Sequence, residues 1–252
     1  MTEHELQFLL HELTASPEYD GQIVGRIDFD AHNAQYAPLP DNIDPDLAAD
    51  LADHGVTDLY TFQRTCYDTV AEGYNATVVS PTASGKSLAF QLPVLNHLLI
   101  HRGATALFLY PTKALIEDQL GKLQEMERCM KRVNTAVYDG DTDQDGRRQL
   151  RKFGRLLLSN PDSLHYSMLP YHENWSRFLR GLAFVVIDEG HYYHGVLGSH
   201  MALVIRRLRR LANFYGAHPT FIITSATIDN PGAFATRLTG ELVRSIDSSG
   251  AP

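Results

Sequence analysis

Short apolar runs alternate with amphipathic segments along most of the chain. We predict strands at residues 77–80, 104–110, 134–138, 155–159, 182–188 and 220–225. These runs lack the regular alternation of a strand with one solvated face, so both faces of their sheet are expected to be buried. Between them, the spacing of apolar residues predicts helices over 86–100, 113–130 and 201–212. This pattern predicts a doubly wound α/β domain with a parallel sheet, whose ligands lie at the carboxyl ends of the strands.

The first part of the chain shows little periodicity. Residues 1–42 are predicted as an N-terminal extension with one short helix near 5–13. A helix is then expected to begin at Asp44, a capping carboxylate that is followed by Pro45 at the first helical position. We therefore predict one domain over residues 43–246.

The composition is that of a folded protein. The chain has 252 residues, of which 44% are hydrophobic, and its formal net charge is -8. No apolar run approaches the roughly 20 residues of a membrane helix, and the acidic start does not resemble a signal peptide. Two isolated cysteines, Cys66 and Cys129, favour a reducing, cytoplasmic location. The negative charge argues against a protein that coats nucleic acid by bulk charge, but it leaves room for a local basic groove.

The segment Ser80-Pro-Thr-Ala-Ser-Gly-Lys-Ser87 lies between a predicted strand and a predicted helix. A phosphate-binding loop needs inward backbone N–H groups, a glycine before its lysine, and a hydroxyl for Mg²⁺. Lys86 is expected to reach the β- and γ-phosphates of ATP, and Ser87 to bind the metal. The residues predicted to line the nucleotide are Thr82, Ala83, Ser84, Gly85, Lys86 and Ser87. Ser80 replaces the first glycine of the usual pattern, so an ordinary strand–turn–helix cap is the alternative interpretation.

Two adjacent acids, Asp188 and Glu189, follow another predicted strand. Asp188 is expected to hold Mg²⁺ through its waters, and Glu189 to orient or deprotonate the attacking water. The alternative is a solvated pair of loop acids. A buried strand would deliver both acids to one edge of the sheet, which favours the catalytic interpretation.

Small polar residues follow four further predicted strands. Ser225 and Thr227 follow the last of these strands. The other three are followed by Pro111, Thr112 and Lys113, by a turn with Gly140, and by Asn160, Pro161 and Asp162. The backbone N–H groups and hydroxyls of these three loops are suited to holding the phosphate backbone of a nucleic acid.

Taken in chain order, Gln63 and the segments SPTASGKS, PTKAL, YDGDT, SNPD, DEGH and SAT resemble the first RecA-like domain of superfamily 2 helicases. Among these, the chain is similar to the DExH type of the MrfA/YprA group, DNA helicases linked to repair. The resemblance covers about residues 44–240. It implies a RecA-like P-loop NTPase fold, ATP and Mg²⁺ as cofactors, and nucleic acid, DNA in preference to RNA, as a partner. It also implies that Gln63 reads adenine, that His191 belongs to the catalytic set and couples it to a partner domain, and that Ser225 and Thr227 link hydrolysis to strand movement.

The chain departs from the family pattern in two ways. Gly190 stands where familiar versions carry Ala, Val or a larger residue, so we expect the helix after it to be held less rigidly. Nothing after Thr227 repeats a RecA-like domain. We therefore expect the chain to be a fragment that needs a second such domain in cis or in trans, and that unwinds nothing alone.

Some patterns keep two interpretations. The basic run between Arg147 and Arg155 suits a nucleic-acid stripe or a solvated helix face, and the run between Arg206 and Arg210 suits DNA contact or ion pairs. Two classes of function also stay open. One is an ATP-driven motor domain, with an RNA helicase as its variant, and the other is a non-catalytic, ATP-gated subunit of a defence or repair complex.

Overall fold

The computed structural model describes residues 3–21, 23, 33–80, 84–226 and 228–247. The chain divides into two compact units, Met1–His32 and Asn33–Pro252. In the first unit, helix α1 spans Glu3–Ala15, which confirms the predicted helix and extends it at both ends. The predicted residues Thr82, Ala83 and Thr227 lie outside the described residues.

A seven-stranded sheet forms the centre of the second unit. The strands of this unit are β1 (Tyr36–Pro38), β2 (Asp58–Tyr60), β3 (Asn75–Val79), β4 (Thr105–Leu109), β5 (Thr135–Tyr138), β6 (Leu156–Ser159), β7 (Leu182–Ile187), β8 (Thr220–Ser225) and β9 (Val243–Asp247). The large sheet has the order β5-β6-β4-β7-β8-β3-β9, and each of its strand pairs is parallel. This confirms the predicted α/β fold class. Strands β1 and β2 form a separate antiparallel pair, which places residues 36–38 in this unit, and a domain boundary after residue 42 stays a proposal.

Helices cover both faces of the sheet. They are α2 (Pro45–Asp53), α3 (Thr61–Ala71), α4 (Lys86–Ile100), α5 (Lys113–Gln124), α6 (Glu127–Arg132), α7 (Gln144–Phe153), α8 (Pro161–Ser163), α9 (Ser176–Arg180), α10 (Gly195–Phe214) and α11 (Pro231–Thr239). A π-helical turn, Leu164–Met168, and a 3-10 segment, Leu169–Trp175, join α8 to α9. Within the described residues, none of the helices has both the length and the apolar character of a membrane span.

Consecutive residues of the central strands pack into two different hydrophobic cores, one on each face of the sheet. Phe108 and Val186 belong to the core under α3, α4 and α5, whereas Leu107 and Val185 belong to the core under α10 and α11. Such strands are apolar at consecutive positions because both of their faces are covered. That is why the predicted strands lacked alternation.

The prediction of one helix over 113–130 is wrong. Met126, with ψ of 68°, separates α5 from α6. The start of α6 is capped from another helix: Asp50 of α2 accepts hydrogen bonds from the backbone N–H groups of Arg128, at 3.3 Å, and Cys129, at 2.9 Å. A carboxylate that satisfies these free N–H groups stabilises a new helix start. Asp50 is 78 residues away from Arg128, so no local pattern reveals the break.

The sheet order groups the strand-end loops into two sets. Strands β7, β8 and β3 are adjacent, so Asp188, Ser225 and the loop before Lys86 lie along one half of the carboxyl edge. Strands β5, β6 and β4 are also adjacent, and they group the loops at Gly140, Asn160 and Thr112 along the other half. The site residues predicted from separate stretches of sequence therefore fall into two neighbouring clusters.

Candidate functional site

Gly85 is the N-cap residue before α4 and has a conformation that favours glycine. Its φ is 84°, and a Cβ atom added there would lie 2.7 Å from Nε2 of Gln63. That amide group donates a hydrogen bond to the Gly85 carbonyl at 3.0 Å, while Oε1 of Gln63 accepts one from the Tyr60 N–H at 2.9 Å. Gln63 is buried. Gln63 therefore connects the start of α3 to the loop before Lys86, and both its amide oxygen and its amide nitrogen are hydrogen-bonded.

Lys86 is a buried cation that has no hydrogen bond to any residue described by the structure. The residue is 8% exposed, and its Nζ atom has no hydrogen-bond partner among the described residues. The nearest carboxylate oxygen recorded for it is Oε2 of Glu189, at 4.0 Å. That oxygen is also buried, and none of the described residues donates a hydrogen bond to it. Burying charged groups without such partners is costly, so this pair is suited to an arrangement in which a bound ion supplies the missing partner.

Asp188 is held rigidly at the end of β7. Its Oδ1 atom accepts hydrogen bonds from the Thr224 hydroxyl and from the Glu189 N–H, the latter at 2.9 Å. The pKa of the Asp188 carboxyl is raised, chiefly because the group is buried. The Thr224 hydrogen bond offsets part of this rise, and the neighbouring charge of Glu189 adds to it. Both hydrogen bonds fall on Oδ1, and no other hydrogen bond to this carboxylate is recorded within the described residues. The second oxygen is therefore available to a metal-bound water.

Glu189 has a left-handed backbone, with φ of 51° and ψ of 48°. Residues other than glycine adopt this conformation at a cost, and they persist in it where the surroundings enforce it, often at functional sites. The next residue, Gly190, is packed against β8. A Cβ atom there would lie 3.0 Å from Cγ2 of Ile223 and 3.2 Å from the carbonyl oxygen of Thr224. Gly190 thus lets the acidic loop approach β8 closely, and the expectation that the following helix is held less rigidly stays a prediction.

This packing makes Gly190→Val a test of the loop. We expect the variant to lower the free energy of unfolding by about 1–3 kcal/mol, because overpacking displaces β8 or the loop. Urea unfolding at equilibrium measures the change. The control is Gly121→Ala in α5, where a Cβ meets nothing within 4 Å. That change should stabilise the chain by about 0.5–1 kcal/mol. Equal stability of Gly190→Val and the unchanged chain would show that β8 accommodates the side chain.

His191 joins the acidic loop to the end of β8. Its Nδ1 atom lies 3.2 Å from Oε2 of Glu189 and accepts a hydrogen bond from the Ala226 N–H at 3.4 Å. Ser225 is fully buried just before Ala226, and its hydroxyl has no partner among the described residues. The structure therefore brings Lys86, Asp188, Glu189, His191 and Ser225 together in one cluster. Ser87 and Ser84 stand beside Lys86 on the same loop and helix start.

In the second cluster, formed by the loops at Thr112, Gly140 and Asn160, several polar side chains already bond to groups of the protein itself. The Thr112 hydroxyl caps α5 by accepting from the Leu115 N–H at 3.3 Å, and Asn160 caps α8 by accepting from the Ser163 N–H at 2.8 Å. Lys113 lies 2.5 Å from Asp141 and 3.5 Å from Asp139. Gly140 and Asp162 are exposed, and Pro161 is half-buried. The charge of Lys113 is thus offset by carboxylates, which the sequence pattern did not show.

Thr224 was missed as a site residue. It precedes Ser225 on β8, and its hydroxyl reaches Asp188 only because β8 is paired beside β7. A hydroxyl one position before a predicted strand end was the only signal in the sequence.

Comparison with known proteins identifies the family. The DEAD/DEAH box helicase family matches the chain over residues 60–234. The chain belongs to the DEAD/DEAH box helicase family. This helicase domain is 41% identical over 244 residues to the ATP-dependent helicase YprA of Bacillus subtilis, a match that covers 96% of this chain and 33% of the relative. It is 34% identical to the ATP-dependent helicase hrq1 of Schizosaccharomyces pombe, covering 90% of this chain and 22% of the relative.

The helicase domain also matches a solved structure closely. The helicase MrfA bound to DNA and AMPPNP superposes with a TM-score of 0.91 and 40% identity, over 98% of this chain and 34% of that one. The family resemblance and the RecA-like fold expected from the sequence are thus confirmed. The chain spans a fifth to a third of the length of these relatives.

Proposed function

We propose that this chain is the ATP-binding motor domain of an ATP-dependent DNA helicase, which couples hydrolysis to translocation or unwinding in DNA repair. The observation that carries the proposal is the buried Lys86 ammonium, which has no hydrogen bond to any described residue and lies near Asp188 and Glu189 at the carboxyl edge of the sheet. A cation and two acids in this arrangement are suited to polyphosphate and its metal. Family membership supports the same conclusion.

The residues of the first cluster fit a nucleotide with Mg²⁺. We assign the phosphates to the backbone of Thr82, Ala83, Ser84 and Gly85 and to the charge of Lys86. Ser87 and Asp188 are the residues that would hold Mg²⁺, and the hard oxygen donors of a hydroxyl and a carboxylate fit this ion. When bound, Mg²⁺ neutralises phosphate charge that develops during hydrolysis. Gln63 is the residue that we propose for adenine, and its hydrogen bond to the Gly85 carbonyl, which puts it next to the phosphate loop, supports this assignment.

Glu189 is the group that we assign to the attacking water. Its left-handed backbone and the contact with His191 hold the carboxylate at the edge of the cluster. His191 in turn contacts Ala226, between Ser225 and Thr227, and this contact supports the proposed coupling of hydrolysis to strand movement. Because Lys86, Asp188 and Glu189 are all present, a purely non-catalytic subunit is the weaker alternative.

Nucleic acid is the proposed partner, and DNA is favoured over RNA because the structure of the relative MrfA is described as bound to DNA. The proposed contacts are the second cluster, namely Pro111, Thr112, Lys113, Gly140, Asn160, Pro161 and Asp162. We further propose residues 1–42 as an N-terminal extension, 43–246 as the motor domain and 247–252 as the start of a linker. A second RecA-like domain, in cis or in trans, is the other partner.

The nucleic-acid part of this proposal predicts that the chain binds single strands weakly and without sequence preference. We expect oligonucleotides of equal length and different sequence to bind alike, because backbone contacts do not read bases. One domain makes few phosphate contacts, so the logarithm of affinity should fall by about 0.7 per contact for each tenfold rise in salt. Fluorescence anisotropy at several salt concentrations measures both quantities. A marked preference for one short sequence would contradict the proposal.

A further inference from the structure

A cleft of about 660 Å³ lies beside the second cluster, outside the residues assigned to ATP. One wall begins at Pro161 and Asp162, which follow β6, and continues along the π-helical turn with His165 and Tyr166. The other wall is α10, which contributes apolar and basic residues over 197–210. The cleft is therefore continuous with the proposed path of the nucleic-acid backbone, and the proposed function uses only its first two residues, Pro161 and Asp162.

The charge of the cleft is predominantly positive. Three arginines of α10 line it: Arg206, Arg207 and Arg210. Arg206 donates only to backbone carbonyl groups, and the guanidinium groups of Arg207 and Arg210 have no ion pair or hydrogen bond with any of the residues described. By contrast, Arg209, on another face of α10, forms an ion pair with Glu241. Asp162 is the one acidic residue of the lining. Arg207 and Arg210 are thus free to meet an anion, whereas Lys113 in the neighbouring loop is already neutralised.

The walls between these charges are apolar and partly exposed. Tyr166 is 70% exposed and Leu203 is 65% exposed, while Met201 and Val204 form a buried floor. Exposed apolar surface gathered in one concave place, rimmed by polar groups, is typical of a binding site. An exposed ring is also a surface on which a nucleobase stacks, whatever its identity.

Two buried polar atoms in the cleft have no hydrogen-bond partner among the residues that the structure describes. The Tyr193 hydroxyl belongs to a residue that is 3% exposed, and neither this hydroxyl nor Nδ1 of His165 has a hydrogen-bond partner within the described part of the chain. Burial raises the pKa of Tyr193, and the charges of Asp188 and Asp162 raise it further, so the neutral phenol is available to donate. Buried polar groups without partners are uncommon, and a ligand with polar edges would satisfy them.

We propose that this cleft receives one nucleotide of the bound strand, with its base against Tyr166 and the apolar wall and its phosphate on Arg207 and Arg210. The inference rests on the proposed function, which supplies the strand. A nucleotide combines the flat apolar face, the polar edges and the anionic group that these three observations require. An apolar peptide would leave the arginine pair without a partner. Tyr193 follows Asp188 by only a few residues. A nucleotide bound in the cleft would therefore lie next to the acidic loop of the proposed ATP site.

The experiment compares two fluorescein-labelled 12-mers of deoxythymidylate, one intact and one with abasic sites replacing the bases. We expect Tyr166→Ala to weaken binding of the intact strand by about fivefold or more, and to change binding of the abasic strand little. Arg207→Ala should weaken both strands and lower the salt slope by about 0.7. The matched controls are Tyr171→Ala and Arg102→Ala, which remove exposed side chains outside the cleft.

The outcomes separate this inference from the proposed function. Unchanged affinity in Tyr166→Ala and Arg207→Ala, with weaker binding in Asn160→Ala, would overturn the cleft assignment and leave the strand-end loops as the binding surface. An equal loss on both strands in Tyr166→Ala would overturn the stacking of a base. Absence of single-strand binding by the unchanged chain would contradict the proposed function itself, and with it the cleft.

Discussion

Glu189→Gln should retain Mg-ATP binding and lower the rate of ATP hydrolysis by about 10²-fold or more. The amide keeps the size of the side chain, but it cannot accept the proton of the attacking water, and general-base catalysis contributes about 10²–10⁴-fold. The change removes the negative charge of a carboxylate whose buried Oε2 atom has no hydrogen bond to any described residue. Phosphate release in a single turnover, with protein in excess over ATP, measures the rate even when hydrolysis is slow.

The control for this variant is Glu117→Gln. Glu117 is exposed on α5, and its change removes the same charge from a surface away from the cluster. We expect that control to hydrolyse ATP like the unchanged chain. If Glu189→Gln also released phosphate at the unchanged rate, another group would be activating the water, and the assignment of Glu189 would be wrong.

The local part of the site could be predicted because its chemistry needs consecutive residues. A glycine, a lysine and a serine at a helix start form a phosphate-binding loop within a few positions, and two acids after an apolar strand reach one sheet edge together. The parallel sheet was predictable for the same kind of reason, since strands buried on both faces lose the alternation of polar residues. Strand β8 and helix α4 have the predicted bounds.

The parts that could not be predicted depend on pairs distant in sequence. Thr224 meets Asp188 across the β7–β8 pair, 36 positions apart, and Asp50 caps α6 from a different helix. Lys113 looks like a free cation in sequence, but Asp139 and Asp141 are brought to it by the order of β4, β6 and β5. Helix α10 was predicted too short because Gly195 and Gly198 weaken its helical pattern, whereas the structure includes both in its first turn.

Lys86→Ala should weaken nucleotide binding at least tenfold, which corresponds to about 1.4 kcal/mol. The ammonium group is buried beside Glu189 and has no hydrogen bond among the described residues, so a bound polyphosphate would be its main partner. Its removal also leaves Glu189 without a nearby cation, which adds repulsion between this carboxylate and the phosphates. The control is Lys122→Ala, since Lys122 is an exposed residue of α5 that pairs with Asp118. Urea unfolding of both variants checks that each one folds.

Isothermal titration with Mg-AMPPNP, which is not hydrolysed, measures nucleotide binding at Lys86 without interference from turnover. We expect the unchanged chain and Lys122→Ala to bind the nucleotide at one site with the same affinity, and folded Lys86→Ala to bind at least about tenfold more weakly. Equal affinity in the unchanged chain and in Lys86→Ala would remove Lys86 from the nucleotide site and contradict the proposed function.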